Sequence, residues 1–429
     1  METLHTTGLL RKQSSEGIGY SVADLNDVRH VFAAAVPRKG DTLAEQAHDA
    51  LRTIEAVICE EGARGTIVKQ SVFYGNHEHL DELKALIREF YGPDLPATTY
   101  VPQHPCQGKL LAIEALGVGR GFGDVQIVRR SEQVVITGHD DISWIHCGQI
   151  TPKTDKTSLY DRTLDCFRQM RDMLAAENVR FEQVIRTWLY IGDIVGPEGD
   201  TQRYMEVNRA RTDFFKGYQF GQNLVPPGHA GLILPASTGI GADNRDIVMS
   251  CIGFATGRGD IIGVSLENPR QTSAFDYGTA YGQKSPKFSR AMALSCGRYA
   301  TILVSGTASI TDSETRHCGD VEKQTHETLD NIEALIAEEN LARHGMPGHG
   351  APLDGLAFVR VYIKRQEDYE KTRAVCEERL GELPTIYAVA DVCRPELLVE
   401  IEGMAFSSRL PVGKPHFAKQ KSPQKSPRA

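Results

Sequence analysis

The segment EQAHDALRTIEAVICEEG at residues 45–62 returns in altered form as KQTHETLDNIEALIAEEN at residues 323–340. At one constant offset the two segments share nine identical residues, among them the pair Leu51 and Leu329. A weaker third copy, DRTLDCFRQMRDMLAAEN, occupies residues 161–178. Self-similarity of this kind is typical of a chain that repeats one structural unit. We therefore predict three tandem copies of a single unit.

Each copy contains the same order of predicted elements. Apolar residues at steps of three and four, such as Leu329, Ile332 and Ile336, indicate a helix with one buried stripe. A strand rich in β-branched and aromatic residues follows, then a second helix and a closing strand. The closing strands are GKLLAIEALG, RDIVMSCIGF and ELLVEIEGMAF, which end at Gly117, Phe254 and Phe406. The order predicts an α+β fold in which each unit is a sheet with two helices on one face.

The repeats set the predicted domain boundaries. The chain divides into an N-terminal segment 1–27, unit 1 at 28–118, unit 2 at 131–256, a connecting segment 257–294, unit 3 at 295–408 and a tail 409–429. The connecting segment is rich in Gly, Pro, Ser and Tyr, so we expect it to lie across a domain surface. The tail is basic and poor in apolar residues, which predicts disorder.

Composition excludes several functional classes. The 429 residues are 41% hydrophobic and 24% charged, with a net charge of −8, which disfavours nucleic acid as a partner. The chain has neither a 20-residue apolar run nor a secretory leader, which predicts a cytoplasmic protein that does not bind membranes. Nine cysteines without a CxxC pair argue against a disulfide framework and a common zinc motif, so we expect no metal.

Two glutamates on the last closing strand are the strongest candidates for chemistry. Glu400 and Glu402 are two residues apart, which directs both carboxylates to one face of an otherwise apolar strand. A solvated edge-strand pair would look the same. However, the aligned copies have Ser250 and Ala112 where the third has Glu400. A residue required by the fold should appear in all three, so the asymmetry indicates that Glu400 belongs to a site.

The repeated unit resembles the Rid family, also called YjgF or L-PSP, whose members are trimers with clefts between subunits. Three fused copies would then form an intramolecular pseudo-trimer. From about residue 140 the chain is similar to the chorismatases, which release pyruvate from chorismate. The resemblance rests on seven blocks in the same order, namely RTWLYIGDI, LPASTGIGA, ENP, TAYGQKSPKFSRA, VSGTASI, HCGDV and CRPELLVEIEG. The complete N-terminal copy is an addition to the two units that this resemblance implies.

The resemblance also implies roles for individual residues. Glu400 would be the general acid, with arginine side chains, which bind carboxylates in a bidentate manner, holding a small carboxylate substrate. The residues expected to bind substrate are Arg394, Arg186, Arg211, Tyr281, Gly282, Thr238, Gly239 and Glu402. Cys393 and Gly306 would determine the product, because Cys and Gly are typical of the 3-hydroxybenzoate-forming branch and Ala of the hydrolysing branch. No metal or organic cofactor is expected.

Two other functions remain open from the sequence. A Rid-type imine or enamine deaminase would place a carboxylate near a substrate-binding arginine, but that arginine normally follows a proline. Here the corresponding segments read LPATT, LPAST and LPTIY, beginning at Leu95, Leu234 and Leu383. The second alternative is a non-catalytic scaffold that binds a small ligand. Either a monomeric pseudo-trimer or a low-order homo-oligomer would fit the sequence.

Overall fold

The computed structural model describes residues 9–62, 66–120, 125–221, 223–225, 231–276 and 284–409. The predicted site residues Tyr281 and Gly282 lie outside these ranges, as does the predicted tail after Arg409.

Unit 1 is a six-stranded sheet with two helices. Its elements are β1 (Leu10–Ser15), β2 (Ile18–Leu25), β3 (Val28–Ala35), α1 (Leu43–Glu60), β4 (Ile67–Tyr74), α2 (Leu80–Tyr91), β5 (Ala97–Pro102) and β6 (Leu111–Arg120). A capping box formed by Thr42 and Glu45 starts α1, because each side chain accepts a hydrogen bond from the other residue's backbone N–H. The apolar stripe of α1, which includes Leu51 and Ile54, is buried.

Unit 2 repeats this arrangement. Its elements are β7 (Gln126–Arg129), β8 (Val134–His139), β9 (Ile142–Ile150), α3 (Leu159–Ala175), β10 (Val184–Gly192), β11 (Pro197–Glu198), β12 (Thr201–Gln202), α4 (Arg203–Phe215), β13 (Ala236–Ala242) and β14 (Ile247–Thr256). Ser158 caps α3 by accepting a hydrogen bond from the Asp161 N–H. The short strands β11 and β12 form a separate two-stranded ribbon before α4.

Unit 3 adds one short helix to the same plan. Its elements are β15 (Ile262–Leu266), β16 (Ala291–Cys296), β17 (Tyr299–Ala308), β18 (Ile310–Thr311), β19 (Glu314–Thr315), α5 (Val321–Ile336), α6 (Glu338–Arg343), β20 (Leu356–Ile363), α7 (Tyr369–Leu380), β21 (Thr385–Val389) and β22 (Val399–Ser408). The Asp320 side chain caps α5 by accepting a hydrogen bond from the Lys323 N–H.

The three large sheets share one topology. Their strand orders are β1-β2-β3-β6-β4-β5, β13-β10-β14-β9-β8-β7 and β15-β16-β17-β22-β20-β21. In each sheet, the strand that follows the second long helix lies at the edge and pairs in parallel with the strand between the two long helices. Every other pairing is antiparallel. The predicted α+β class and the three tandem units are therefore confirmed.

The sheets begin earlier than the predicted units. Strands β1 and β2 fall within the predicted N-terminal segment, β15 falls within the predicted connecting segment, and β16 begins in it. The sequence comparison was anchored on the helices, so these opening strands were missed. The alignment of the closing strands also changes in unit 2. Counted from the first residue of each strand, Glu400 matches Val248 rather than Ser250, and it still matches Ala112.

The sheet faces that carry no helix meet at the centre of the molecule. One hydrophobic cluster contains buried residues from all three units. Phe32 of unit 1 stacks on Phe358 of unit 3 with ring centroids 5.2 Å apart. Separate clusters lie beneath the helices of units 1 and 3. The three units thus share one core, as the pseudo-trimer predicts.

No helix in the described part of the chain is long and apolar enough to span a membrane. The described ranges also contain no group of three or more His, Cys, Asp or Glu side chains that could hold a metal ion.

Candidate active site

A cavity of about 410 Å³ lies between units 2 and 3. Six predicted site residues line it, namely Arg211, Gly239, Gly306, Cys393, Arg394 and Glu400. Helix α4 and strand β13 supply the wall from unit 2, while β17, β22 and the loop before β22 supply the wall from unit 3. The cavity therefore brings together predicted site residues that are up to 189 positions apart in the chain, from Arg211 to Glu400.

Glu400 is the buried acid of this cavity. Its side chain is on β22, and the residue is only 5% exposed. Burial raises the pKa of Glu400 to about 8, and the charge of Glu402 adds to the rise, while Arg186 and Arg290 oppose it. No side chain within the described ranges donates a hydrogen bond to this carboxyl group. Glu400 is therefore protonated at neutral pH and can donate its proton into the cavity.

Arg186 and Glu402 do not line the cavity, contrary to the expectation that they bind substrate. They form a buried ion pair behind its wall, in which Arg186 Nη2 donates to a Glu402 oxygen. Glu402 also accepts hydrogen bonds from Trp188 Nε1 at 2.9 Å and Tyr362 OH at 2.7 Å. Alternate side chains of a strand point to one face, as the spacing predicts. Their spacing cannot show that Glu400 lines the cavity while Glu402 lies behind its wall.

The pKa of Glu402 moves in the direction opposite to that of Glu400. Burial acts to raise it, but the cations Arg186 and Arg360, with hydrogen bonds from Thr238 and Tyr362, outweigh burial and lower the pKa below its ordinary value. Glu402 is therefore ionised when Glu400 is protonated. Its negative charge then disfavours ionisation of Glu400.

Thr238 connects the buried ion pair to the cavity wall. The residue is on β13. Its hydroxyl donates to Glu402 and accepts from Arg186 Nη2 at 2.6 Å and from the Gly306 N–H at 2.9 Å. Thr238 does not itself line the cavity, whereas its neighbour Gly239 does. Thr238 therefore holds β13 of unit 2 against β17 of unit 3.

Arg394 and Arg211 are fixed on opposite walls. Arg394 Nη1 donates to the Ser313 carbonyl oxygen at 2.8 Å, which anchors the loop before β22 to the turn between β18 and β19. Arg211 Nη1 donates to Ser237 Oγ at 3.2 Å, and its Nη2 donates to Asn208. Both guanidinium groups thus enter the cavity already oriented by the protein, which favours binding of anions there.

Comparison with known proteins identifies the family. A 3-hydroxybenzoate synthase from Streptomyces hygroscopicus is 34% identical over 278 residues, which cover 63% of this chain and 76% of that protein. This chain belongs to the chorismatase family. The family model for endoribonuclease L-PSP, the Rid superfamily, matches residues 283–407. A chorismatase from Streptomyces rapamycinicus is 38% identical over 230 residues, which span 52% of this chain and 64% of that relative, less than two thirds of its length.

The fold of this chorismatase-family chain extends the likeness to unit 1. A crystal structure of a chorismatase superposes with a TM-score of 0.63 at 23% identity and covers 88% of this chain and 98% of that one. Units 2 and 3 together, residues 126–408, make up only about two thirds of this chain. The expectation that unit 1 is an addition to a two-unit fold is therefore wrong.

Arg290 is a cavity residue that the sequence analysis missed. It lies in the block TAYGQKSPKFSRA, directly before β16, and is 4% exposed. Its Nη2 donates to the Thr272 carbonyl oxygen at 3.1 Å, and its guanidinium lies 5.5 Å from the Phe288 ring centre. Its charge opposes the rise in the Glu400 pKa. The block itself was the available signal, although nothing in the sequence singles out Arg290 within it.

The structure assigns Gly306 a closer relation to the acid than the family resemblance implied. A Cβ atom built at this position would overlap the Glu400 carboxyl oxygen and lie 2.9 Å from Glu400 Cδ. Gly306 therefore makes room for the Glu400 side chain in this chorismatase-family cavity.

Cys393 lies on the cavity wall as a protonated thiol. Burial, reinforced by the nearby charge of Glu400, raises the pKa of Cys393 to about 12. A thiol with so high a pKa supplies almost no thiolate at neutral pH. Cys393 therefore shapes the cavity rather than serving as its nucleophile.

Proposed function

We propose that this protein cleaves the enol ether of chorismate, releasing pyruvate and a hydroxybenzoate, with 3-hydroxybenzoate the favoured ring product. The observation that carries the proposal is the buried, protonated Glu400 on the wall of a cavity that also holds three arginines. The names of the matched relatives, a chorismatase and a 3-hydroxybenzoate synthase, support this substrate and this ring product.

The cavity suits a substrate with two carboxylates. Arg211, Arg290 and Arg394 each present a guanidinium group to it, and each is held by a hydrogen bond to the protein. A guanidinium binds a carboxylate through two parallel hydrogen bonds, and such preorganised charge is worth more in a cavity that excludes water. These three residues would hold the ring carboxylate and the enolpyruvyl carboxylate of chorismate.

Glu400 would begin the reaction as a general acid. Its proton passes to the methylene carbon of the enolpyruvyl group, and the π electrons of that double bond form the new C–H bond. The ether oxygen then shares the positive charge as an oxocarbenium ion. The Glu400 carboxylate left behind stabilises this cation, and the acid's pKa near neutrality suits a proton transfer that begins from the protonated form.

A nucleophilic oxygen would complete the cleavage. If water adds to the oxocarbenium carbon, the hemiketal collapses to pyruvate and a dihydroxycyclohexadiene carboxylate, and the proton returns to Glu400. If the C4 hydroxyl of the substrate adds instead of water, its proton returns to Glu400 and a cyclic ketal forms. Glu400 can then protonate the C4 oxygen as the ring C4–O bond breaks, and its carboxylate takes the ring proton from C3, which makes the ring aromatic. The hemiketal left on the C3 oxygen collapses to pyruvate and 3-hydroxybenzoate, so no water is consumed. Pyruvate and a hydroxybenzoate then contain all the atoms of chorismate. Gly306 and Cys393, the residues expected of the hydroxybenzoate-forming branch, favour the second route.

A pyruvate-coupled assay with chorismate tests the proposal, with the ring product identified by chromatography. We expect Glu400→Gln to lower the turnover number by about 100-fold or more, since general acid catalysis typically contributes 10²–10⁴-fold. Glu367→Gln, the same change at an exposed glutamate, is the control and should leave turnover unchanged.

Two results would overturn this assignment. One is wild-type release of pyruvate by the Glu400→Gln variant. The other is a wild-type protein that hydrolyses 2-iminopropionate but does not act on chorismate, which is the behaviour of the deaminases in the wider superfamily.

A further inference from the structure

Unit 1 contributes no residue to the candidate active site among those that the structure describes, yet it contacts the charges behind it. Arg360 on β20 of unit 3 is fully buried. Its Nε donates to Glu114 Oε2 at 2.6 Å and its Nη2 donates to Glu114 Oε1 at 2.8 Å, which is a bidentate pair with a carboxylate of unit 1. Its Nη2 also donates to Ser71 Oγ of unit 1 at 3.0 Å.

The same guanidinium also contacts the carboxylate that neighbours the acid. Arg360 Nη1 donates to Glu402 Oε1 at 3.0 Å and to Tyr190 OH at 2.9 Å. Arg360 is therefore shared between Glu114 of unit 1 and Glu402 of unit 3. We call Lys69, Glu114, Arg186, Arg360 and Glu402 the central charge cluster.

We propose that Glu114 is a positioning residue of the active site: it holds Arg360 in place and balances its charge, so that Glu402 keeps the negative charge that it places beside Glu400. Glu114 acts through Arg360 and Glu402 and does not touch the cavity. Its part in catalysis rests on the proposed function, whereas its effect on Glu400 is a property of the folded chain.

The sign of the effect follows from Coulomb's law. Removing the negative charge of Glu114 makes the surroundings of Glu400 more positive, which favours the ionised carboxylate. Removing the positive charge of Arg360 acts in the opposite direction. Lys69, whose Nζ is 3.9 Å from Glu114 Oε1, dampens the first change, because it releases its proton more readily once that carboxylate is gone.

Several other charged or titratable groups lie near Glu400 or near the central charge cluster. Those near Glu400 are Glu402, Arg186, Arg290, Cys393 and Tyr204, with Arg394 on the same cavity wall. Those near Glu114, Arg360 or Lys69 include Tyr190, Tyr362, Arg186 and His146. All of these remain in place in the variants below, so a shift between variants is caused by the charge that was changed.

Three variants separate the electrostatic role from a structural one. Glu114→Gln should lower the upper apparent pKa of the pH–rate profile for pyruvate release by about half a unit to one unit. Arg360→Gln should raise it by a similar amount. Ser71→Ala removes a hydrogen bond to the same guanidinium without changing any charge, so it should leave this pKa unchanged.

A second measurement does not depend on the reaction. A carboxyl group whose pKa is raised on folding binds its proton more tightly in the folded state, so it lowers stability as the pH rises from its ordinary value through its folded value. The difference in melting temperature between each variant and the same variant carrying Glu400→Gln, measured from pH 5 to pH 9, therefore reports the folded pKa of Glu400. This folded pKa should be lower in Glu114→Gln and higher in Arg360→Gln than in the wild-type protein.

The two readouts distinguish the possible failures. Shifts in the stability difference without any turnover of chorismate would reject the proposed function but support the electrostatic role of Glu114. If the Glu400 pKa shifts in the same direction in both charge variants, or shifts no more than in Ser71→Ala, the electrostatic role of Glu114 is rejected. If Glu114→Gln does not fold, the Glu114→Gln/Arg360→Gln double variant removes both members of the buried Arg360–Glu114 pair, and Lys69, which loses its ion pair with Glu114, can release its proton. The double variant should show a lower Glu400 pKa than Arg360→Gln alone. An equal or higher value would also reject the electrostatic role of Glu114.

Discussion

Glu400 and Glu402 are both buried on β22, yet their pKa values shift in opposite directions. The difference arises from their partners. Glu402 accepts hydrogen bonds from two arginines, a tryptophan, a threonine and a tyrosine, whereas no described side chain donates to Glu400. Two carboxyl groups with pKa values moved apart by their surroundings are a common arrangement for an acid and its electrostatic support.

At the same scale, Gly306→Ala tests whether the position of the acid matters. The added methyl group would overlap the Glu400 carboxyl group, so that group must move. We expect turnover to fall about tenfold or more, because small displacements of reacting groups are costly. The ring product should shift toward the dihydroxycyclohexadiene carboxylate, since alanine is the residue expected of the hydrolysing branch. Turnover and product ratio are read from the pyruvate assay with chromatography.

Gly259→Ala is the matched control for this prediction. A Cβ atom at position 259 meets no atom within 4 Å, so the same substitution there should leave turnover and product ratio unchanged. A Gly306→Ala enzyme with wild-type turnover and products would show that the carboxyl group tolerates the displacement.

At the scale of the elements, β13 is the strand of unit 2 that contacts Glu402 and Gly306 of unit 3. Thr238→Val keeps the shape of the side chain but removes a hydroxyl that bonds Glu402, Arg186 and the Gly306 N–H. We expect a loss of about 1–3 kcal/mol in the free energy of unfolding, because charged and backbone groups lose a buried partner. Urea denaturation followed by circular dichroism measures the change.

The repeat supplies a control for the strand. Thr99 on β5 occupies the equivalent place in LPATT of unit 1, is 1% exposed, and makes no side-chain hydrogen bond within the described ranges. Thr99→Val should therefore change the free energy of unfolding little. Equal losses in the two variants would mean that the strand tolerates valine poorly for reasons unrelated to Thr238's partners.

The sequence predicted those elements whose patterns repeat. Helices α1, α3 and α5 and the strands that follow them were found, since amphipathic spacing and β-branched composition are local signals. Strands β15 and β16 were missed because they lie outside the aligned segments. Residues such as Glu400 and Arg394 were identified through blocks similar to a known family. By contrast, the contact between Glu114 and Arg360 joins residues 246 positions apart and leaves no local pattern to detect.

At the scale of the whole molecule, the shared core predicts how the chain unfolds. Buried residues from all three units form one cluster, and Arg360 and Glu114 join units 3 and 1 within it. A unit that unfolded alone would expose its share of this cluster and leave buried charges without partners, which is strongly unfavourable. We therefore expect one cooperative transition rather than three.

The two tryptophans make this testable, because Trp144 and Trp188 both belong to unit 2. Leu51→Ala opens a cavity beneath α1 of unit 1, at a cost of about 2–5 kcal/mol. If the units unfold together, this variant should lower the denaturation midpoint seen by tryptophan fluorescence as much as the midpoint seen by circular dichroism. Leu174→Ala, in the core of unit 2, should do the same. A Leu51→Ala protein whose fluorescence midpoint stays at the wild-type value would show that unit 2 unfolds independently, because a shared core transmits the loss of packing in one unit to the others.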